Sequence, residues 1–387
     1  MQAPLPVYLT VKEIWRNRAR FALIIGVIVM LTTLVLFTAA IAEGLGGGSR
    51  EFLQKVNADL LVYQGDVDLS ISASRLDQQT LRAIRRVDGV TAVGPIAFST
   101  AAVIDPTTGA LINISMIGVV PGEPGEPPAL QGRDLGRTDA NEAVIDINLA
   151  RRTGLGVGDK LTIKTTLGAD EKFNAMTIVG ITDGRRHVLS PSVTLPAKTW
   201  DKIRSKPASD DGTGEIIYNV AAVQLNDPNQ WQTMAQRIEA QVNNVRAVDL
   251  KTAYQNTPGY QAQQSTLNTQ QIFALVIGAL VIGGFFHIQM IQRVAQIGML
   301  KAIGASNRVV GLAFVLQIVL VTTLGVLLGT ALVLTMARFI PATIPITFTG
   351  LPIAAALTGL LIIGPAGGMV ALWSVLKIEP LTALRLS

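Results

Sequence analysis

The sequence predicts an α-helical membrane protein with four transmembrane helices and a large mixed α/β extracytoplasmic domain inserted between the first and second helices. Three observations carry this. Four apolar runs are uncharged, the long stretch between the first two holds nearly all the acidic residues, and basic residues crowd the short flanks on one side of the runs. With 387 residues, 49% hydrophobic and 15% charged, the chain is too apolar for an ordinary soluble protein and too charged to be all membrane.

Residues 1–20 hold Val7, Val11 and Ile14 on one helical face, with Lys12, Arg16 and Arg20 elsewhere. This reads as a short amphipathic helix lying on the inner membrane surface. Phe21–Ala42 follows as the first span, long enough at 1.5 Å per residue to cross roughly 30 Å of hydrocarbon. Basic residues, an apolar run and Ala40-Ile41-Ala42 before Glu43 also resemble a cleavable signal. The run is longer than such a signal needs, however, and cleavage leaves an odd number of spans with one basic flank outside.

Residues 272–291 form the second span, interrupted only by His287, 309–337 the third and 351–376 the fourth. Lys12, Arg16, Arg18 and Arg20 precede the first span. Arg293, Lys301 and Arg308 occupy the 292–308 loop, and Lys377 and Arg385 the 377–387 tail, whereas the short loop on the other side has Arg338 alone. The bias of basic residues toward the inside makes both termini and the 292–308 loop cytoplasmic. Residues 43–268 and 339–350 then lie outside.

Residues 43–268 carry 22 Lys+Arg and 25 Asp+Glu, and the rest of the chain only two acids, Glu13 and Glu379. The net charge of +5 therefore belongs to the membrane part. No basic patch with interleaved aromatics exists, which argues against nucleic-acid binding. The absence of cysteine excludes disulfides, thiol catalysis and thiolate metal sites.

Within the external domain, 57–64 reads as a strand, 76–87 as a helix, and 90–103 and 111–120 as strands. PGEPGEPP at 121–128 is a break. Beyond it, 142–149, 160–166 and 176–181 predict a β-rich region. GLGVGDK at 154–160 is a turn between helix and strand, and it lacks the spacing of a phosphate loop. Residues 220–225, 228–245 and 247–250 predict a strand–helix–strand unit that echoes the first one, as Arg86–Val90 after one helix parallels Val242–Val245 after the other. The expectation is a membrane-proximal split α/β lobe (50–120 and 215–260) with an outer β-rich lobe (125–210) inserted. The glutamine-rich 260–271 then continues as a helical stalk into the second span.

Two motifs carry a family resemblance. AQIGMLKAIGASNRVVG (295–311) resembles the cytoplasmic loop of FtsX-like, MacB-type ABC transporter permeases, and KIEPLTALR (377–385) their closing pattern. ADLLVY (58–63) and EAVIDINLARRTGLGVGDKLTI (142–163) resemble their external core domain. VLFTAAIAEGLG (35–46) is most similar to HrtB-type haem-export permeases, and ADLLV is shared with DevC-type glycolipid-export permeases. Gln296 departs from the Glu that the family often carries there.

The resemblance implies a homodimer of permeases in a bacterial cytoplasmic (inner) membrane, bound to two cytoplasmic ATPase subunits that hold ATP and Mg. The chain itself then has no cofactor and is not an enzyme. Gln296, Gly298, Lys301, Gly304, Ala305 and Arg308 become the ATPase-coupling residues: the small residues permit a tight turn, and the cations face an acidic partner. On charge alone, the same loop also reads as a solvated basic turn. The resemblance further implies mechanotransmission, in which closure of the ATPases pulls the loop, and rigid spans one and two carry the motion outward to close the external lobes.

Glu43 is the substrate candidate, as an oxygen ligand for haem iron or a partner for a cationic substrate; the bland alternative is an interfacial carboxylate in water. His287 reads as structural or interfacial. His187 has no second ligand spaced nearby to make a metal site. Tyr63, Tyr218, Tyr254 and Tyr260 are scattered and read as structural, while Gly283, Gly284, Gly325 and Gly329 permit helix packing. Export of an amphipathic or apolar molecule, haem first, is the leading function. A tripartite exporter of glycolipid, macrolide or peptide with an adaptor protein is the second. A regulator that moves nothing and activates an external hydrolase is the third, and two lobes able to close on each other argue against it.

Overall fold

A computed structural model of the protein describes residues 15–168, 170–206, 214–257, 260–292, 299, 306–340, 346–348 and 351–376. Of the amphipathic helix expected over 1–20, residues 1–14 lie outside the described residues, as do most of the 292–308 loop and the 377–387 tail, while Arg18–Arg20 belong to the first membrane helix. In chain order, the helices are α1 (Arg18–Gln54), α2 (Gln78–Arg85), α3 (Ile147–Thr153), α4 (Ala197–Ile203), α5 (Trp231–Gln241), α6 (Leu250–Gln255), α7 (Tyr260–Ile291), α8 (Asn307–Ala337) and α9 (Leu351–Leu376). The strands are β1 (Leu60–Gln64), β2 (Val90–Ile104), β3 (Leu111–Val119), β4 (Gln131–Gly132), β5 (Glu142–Asp146), β6 (Lys160–Leu167), β7 (Asp170–Thr182), β8 (Ser192–Pro196), β9 (Val220–Leu225) and β10 (Val245–Asp249). The chain divides into a helical unit, Met1–Gly44 with Gln264–Ser387, and an α/β unit, Leu45–Gln263.

In the helical unit, α1, α7 and α8 are long and apolar enough to cross a membrane. The fourth expected span also folds as one helix, α9, but its described apolar stretch, Ile353–Gly367, is shorter. Three spans, not four, therefore meet the length among the described residues. Phe21, Ile24, Ile28, Val35 and Ala39 recur at helical spacing on the buried face of α1. They share one core with Ile282 and Phe286 of α7, Phe314 and Ile318 of α8 and Leu360 of α9.

Small residues set the closest approaches. A Cβ added at Gly325 would meet Ile28 at 2.5 Å, and one at Gly329 would lie 2.6 Å from Thr32 Cβ and 2.9 Å from the Val29 carbonyl oxygen. Gly283 and Gly367 bring the backbones of α7 and α9 together in the same way. Gly284 has open space instead. Packing between apolar helices in lipid rests on such contacts, because lipid tails are as apolar as the side chains.

The α/β unit is built on one ten-stranded sheet of order β10-β1-β9-β2-β3-β8-β5-β7-β4, with β6 pairing β2 and β7. Strict alternation assigns each strand's side chains to opposite faces. Leu60 and Val62 join Ala221, Val223 and Ile145 under α2, α3, α4 and α5, while Leu61 and Tyr63 join Val220, Ala222 and Val144 on the other face. That second face receives Phe52 and Leu53 from the last turns of α1 and Ala253 of α6.

The two blocks expected as lobes are parts of one sheet. Strands from 125–210 occupy one end of the sheet and those from 50–120 and 215–260 the other. The two ends are joined by backbone pairing of β3 with β8, from Ser115↔Ser192 to Val119↔Pro196, and both share the α2–α5 core.

Local boundaries also shift. Leu76 pairs with Tyr218 instead of entering α2, which begins after its cap, where Thr80 N donates to Asp77 at 2.8 Å. The helix expected over 228–245 is only Trp231–Gln241: Asp227-Pro228 opens a 3₁₀ turn before it, and Asn244 takes φ 55° after it. The echo between α2 and α5 is thus a shared device, since Gly89 at φ 99° turns the chain into β2 as Asn244 turns it into β10. The strand part of 142–149 ends at Asp146, whose carboxylate caps α3, and Gly154 closes that helix in the left-handed conformation. Strand β8 and helix α4 have no counterpart in the sequence reading.

We expect Gly329→Ala to destabilise the helical unit by about 1–3 kcal/mol, the usual cost of overpacking against backbone. Gly284→Ala should leave it unchanged. Thermal unfolding of the two variants in detergent checks both outcomes.

Candidate functional site

Of the expected ATPase-coupling residues, Gln296, Gly298, Lys301, Gly304 and Ala305 lie outside the described residues. Arg308 falls in the first turn of α8, with its side chain outside the description. Glu43 lies within α1 and is half-buried. His287 lies on the exposed side of α7, consistent with a structural or interfacial role. Tyr63 is fully buried in β1, where loss of water pushes its phenol far up; Tyr254 and Tyr260 pack edge to face at 6.2 Å.

The most elaborate polar constellation in the α/β unit grips the end of α1. Its second half is the segment Asp183-Gly184-Arg185-Arg186-His187-Val188-Leu189-Ser190, which leads from β7 to β8. Glu51 accepts from Arg186 Nε at 2.9 Å and from the Arg186 backbone N–H at 3.3 Å. One turn on, Lys55 Nζ donates to the Gly184 carbonyl at 2.5 Å and pairs with Asp183 at 3.1 Å. Arg185 is buried; its Nη1 donates to the Lys55 carbonyl at 2.5 Å and its Nε to Asp183 at 2.7 Å. A guanidinium thus satisfies a carbonyl just beyond the C-terminus of α1, where helical carbonyls lack partners and a cation is favoured. The fully buried Asp146 anchors the segment from below by accepting from Arg185 N at 2.9 Å. Burial pushes its carboxyl up.

The same segment touches the helix backbone. Gly48 O and Phe52 N–H are the groups that an undisturbed helix pairs with each other. Here Leu189 N donates to Gly48 O at 3.3 Å, and Phe52 N donates to Arg186 O at 3.2 Å. A Cβ at Gly48 would lie 2.6 Å from Leu189 Cδ2, so the close approach requires glycine. Val188 and Leu189 hold left-handed backbones at φ 48° and 65°, a strained state for a β-branched residue that persists only under such external constraint. Just ahead of this grip, Gly44-Leu45-Gly46-Gly47-Gly48 lie within α1. Each interior glycine costs a helix about 1 kcal/mol relative to alanine.

His187, read from sequence as part of a polar loop, is instead a buried aromatic. It stacks on Phe98 at 4.5 Å and meets Phe52 edge to face at 6.0 Å. Ser115 Oγ donates to its carbonyl at 3.0 Å and lies 3.3 Å from its Nδ1. Burial pushes its pKa down to about 4, so it is neutral at physiological pH and ties the grip to β2 and β3.

The sequence reading missed this grip, although Glu51 and Lys55 at i,i+4 beyond a span, and an Asp-Gly-Arg-Arg turn, were both visible. It also missed the polar residues inside the helical unit. Thr32, Gln289, Gln317 and Thr322 are all buried there, and the signal was a glutamine within an apolar run.

A pH dependence follows from His187. In the unfolded chain its imidazole binds a proton below pH 6.5, while in the folded protein it resists protonation down to about pH 4. Folding stability is therefore whole above pH 6.5 and falls as pH drops toward 4, by about 3 kcal/mol in all. His187→Phe should keep the aromatic stack and remove this part of the slope. Urea unfolding between pH 4 and 7, followed by tryptophan fluorescence of both proteins, checks it.

Comparison with known families accounts for nearly the whole chain. Residues 21–241 match the MacB-like periplasmic core domain, and residues 271–380 match the FtsX-like permease C-terminal domain. A putative hemin transport system permease protein HrtB of Staphylococcus haemolyticus is 26% identical over 379 residues, covering 96% of this chain and 97% of its own. A Staphylococcus epidermidis protein of the same name is 24% identical, with the same coverage. An uncharacterized ABC transporter permease of Mycobacterium tuberculosis is 23% identical, covering 90% of this chain and 91% of its own. Among solved structures, the periplasmic region of MacB from Actinobacillus actinomycetemcomitans aligns with 13% identity and a TM-score of 0.36, over 53% of this chain and 95% of that one. The protein belongs to the family of FtsX-like, MacB-type ABC transporter permeases.

Proposed function

We propose that this chain is the permease subunit of a mechanotransmission exporter, working as a homodimer with two cytoplasmic ATPase subunits that hold ATP and Mg. In this reading it crosses a bacterial cytoplasmic membrane four times, with both termini and the 292–308 loop on the ATPase side. The substrate is an amphipathic or apolar molecule, with haem first. The observation that carries this is colinearity with the putative hemin permeases over 96% of the chain, which includes both membrane blocks and the domain between them.

Two features of the structure support a mechanical role. Helix α1 runs unbroken from the apolar core of the helical unit to the Glu51–Lys55 grip, and α7 joins its glutamine-rich first turns to a span without interruption. With a single sheet in the α/β unit, the motion delivered outward is one of whole domains in the dimer and not of lobes within one protomer. The continuous sheet also removes the lobe-closure objection to a regulator of an external hydrolase, which stays the second reading, beside a tripartite exporter with an adaptor.

Docking of the ATPase is assigned to Gln296, Gly298, Lys301, Gly304, Ala305 and Arg308. Gly304→Trp should abolish the stimulation of ATPase activity that reconstituted permease produces while leaving membrane insertion intact; undiminished stimulation would count against docking there. For the substrate, haem added to purified dimer should shift the Soret band, with affinity at least tenfold weaker in Glu43→Ala. No shift in the wild type removes haem, and an unchanged titration in the variant removes Glu43.

A further inference from the structure

We propose that Gly44–Gly48 is a hinge built into α1, and that the 183–190 segment confines bending to it. The proposal rests on the mechanical reading above for its use, though not for its existence. Upstream, Val35, Leu36 and Ala39 of α1 are buried in the core of the helical unit. Downstream, Glu51 and Lys55 are held by Arg186, Asp183 and Gly184. Of the eleven residues between Ala39 and Glu51, four are glycine, and all four fall within Gly44–Gly48.

Gly48 is explained by the close approach of Leu189, but Gly47 is not: an added Cβ there meets nothing within 4 Å, and its backbone is not left-handed. Neither space nor dihedral angle demands glycine at 47. What glycine supplies there is conformational freedom, each one lowering the local helical population about fivefold relative to alanine. The second observation is independent of composition. The carbonyl of Gly48 and the amide of Phe52 are both engaged by the 186–189 backbone, which fixes this turn of α1 to the β7–β8 segment and leaves the glycines before it as the place that can bend. A pliant stretch followed by a gripped one converts a pull along α1 into a change of angle at one place.

The chain has no cysteine, so spin labels can be placed at Met30→Cys and Gln54→Cys, both exposed on α1. In full-length chain in nanodiscs, diluted with unlabelled chain to suppress distances between protomers, a straight helix would set the pair near 36 Å. The expected wild-type distance distribution is about twice as broad as that of Gly47→Ala. Amide exchange over 44–48 should be about fivefold slower in Gly47→Ala, and Arg186→Gln should broaden the distribution further by loosening the grip. Equal widths and equal exchange in wild type and Gly47→Ala overturn the hinge. So does a Gly47→Ala chain that loses self-association, because the glycine would then serve a contact between copies. These readouts need no ATPase and no substrate, so they fail or succeed independently of the transport reading.

Discussion

A peptide group in hydrocarbon has no water to bond, so every residue that crosses must satisfy its backbone within its own helix. That constraint shapes the whole chain. It makes the spans long, uncharged and continuous, and it pushes nearly all the acidic residues into one inserted α/β unit. It also turns the helices that leave the membrane into the covalent routes between the two units. Inside the helical unit, the same medium removes any hydrophobic drive for association, leaving contact at Gly325, Gly329 and Gly283 to define how α1, α7, α8 and α9 approach one another.

In the α/β unit, the organising fact is that both faces of the sheet are covered. Alternation along β1, β2 and β9 feeds two cores, and the one opposite α2–α5 takes Phe52 and Leu53 from α1. The helix that leaves the membrane unit is thus part of the second core, not a tether to it. Around that apolar seat the charges of Glu51, Lys55, Asp183, Arg185 and Arg186 fix its axial position. Exposed pairs of this kind contribute little singly. Here the buried guanidinium of Arg185 and the carboxylate of Asp146 are bonded to backbone, which makes them costly to disturb.

Much of the fold was legible locally. Strands β1, β2, β3, β6 and β9 read as short apolar or β-branched runs between turn residues, the turn at 154–160 announces itself by its glycines, and the stalk over 260–271 joins its span as one helix, α7. Strand β8 and helix α4 escaped because four residues between Pro191 and Pro196 carry too little periodicity to signal a strand. That the two blocks share one sheet was not legible, because β3 and β8 are separated by more than seventy residues in sequence yet pair in parallel.

The sequence alone determined the apolar runs, the family to which the chain belongs and most strands of its inserted domain, because each depends on residues close together along the chain. Only the tertiary structure decided that the sheet is single, that His187 is buried among aromatics, and that Glu51 meets Arg186 across 135 positions. Contacts at that separation leave no periodic trace in the sequence: they exist only once strands have paired and both faces of the sheet have been covered.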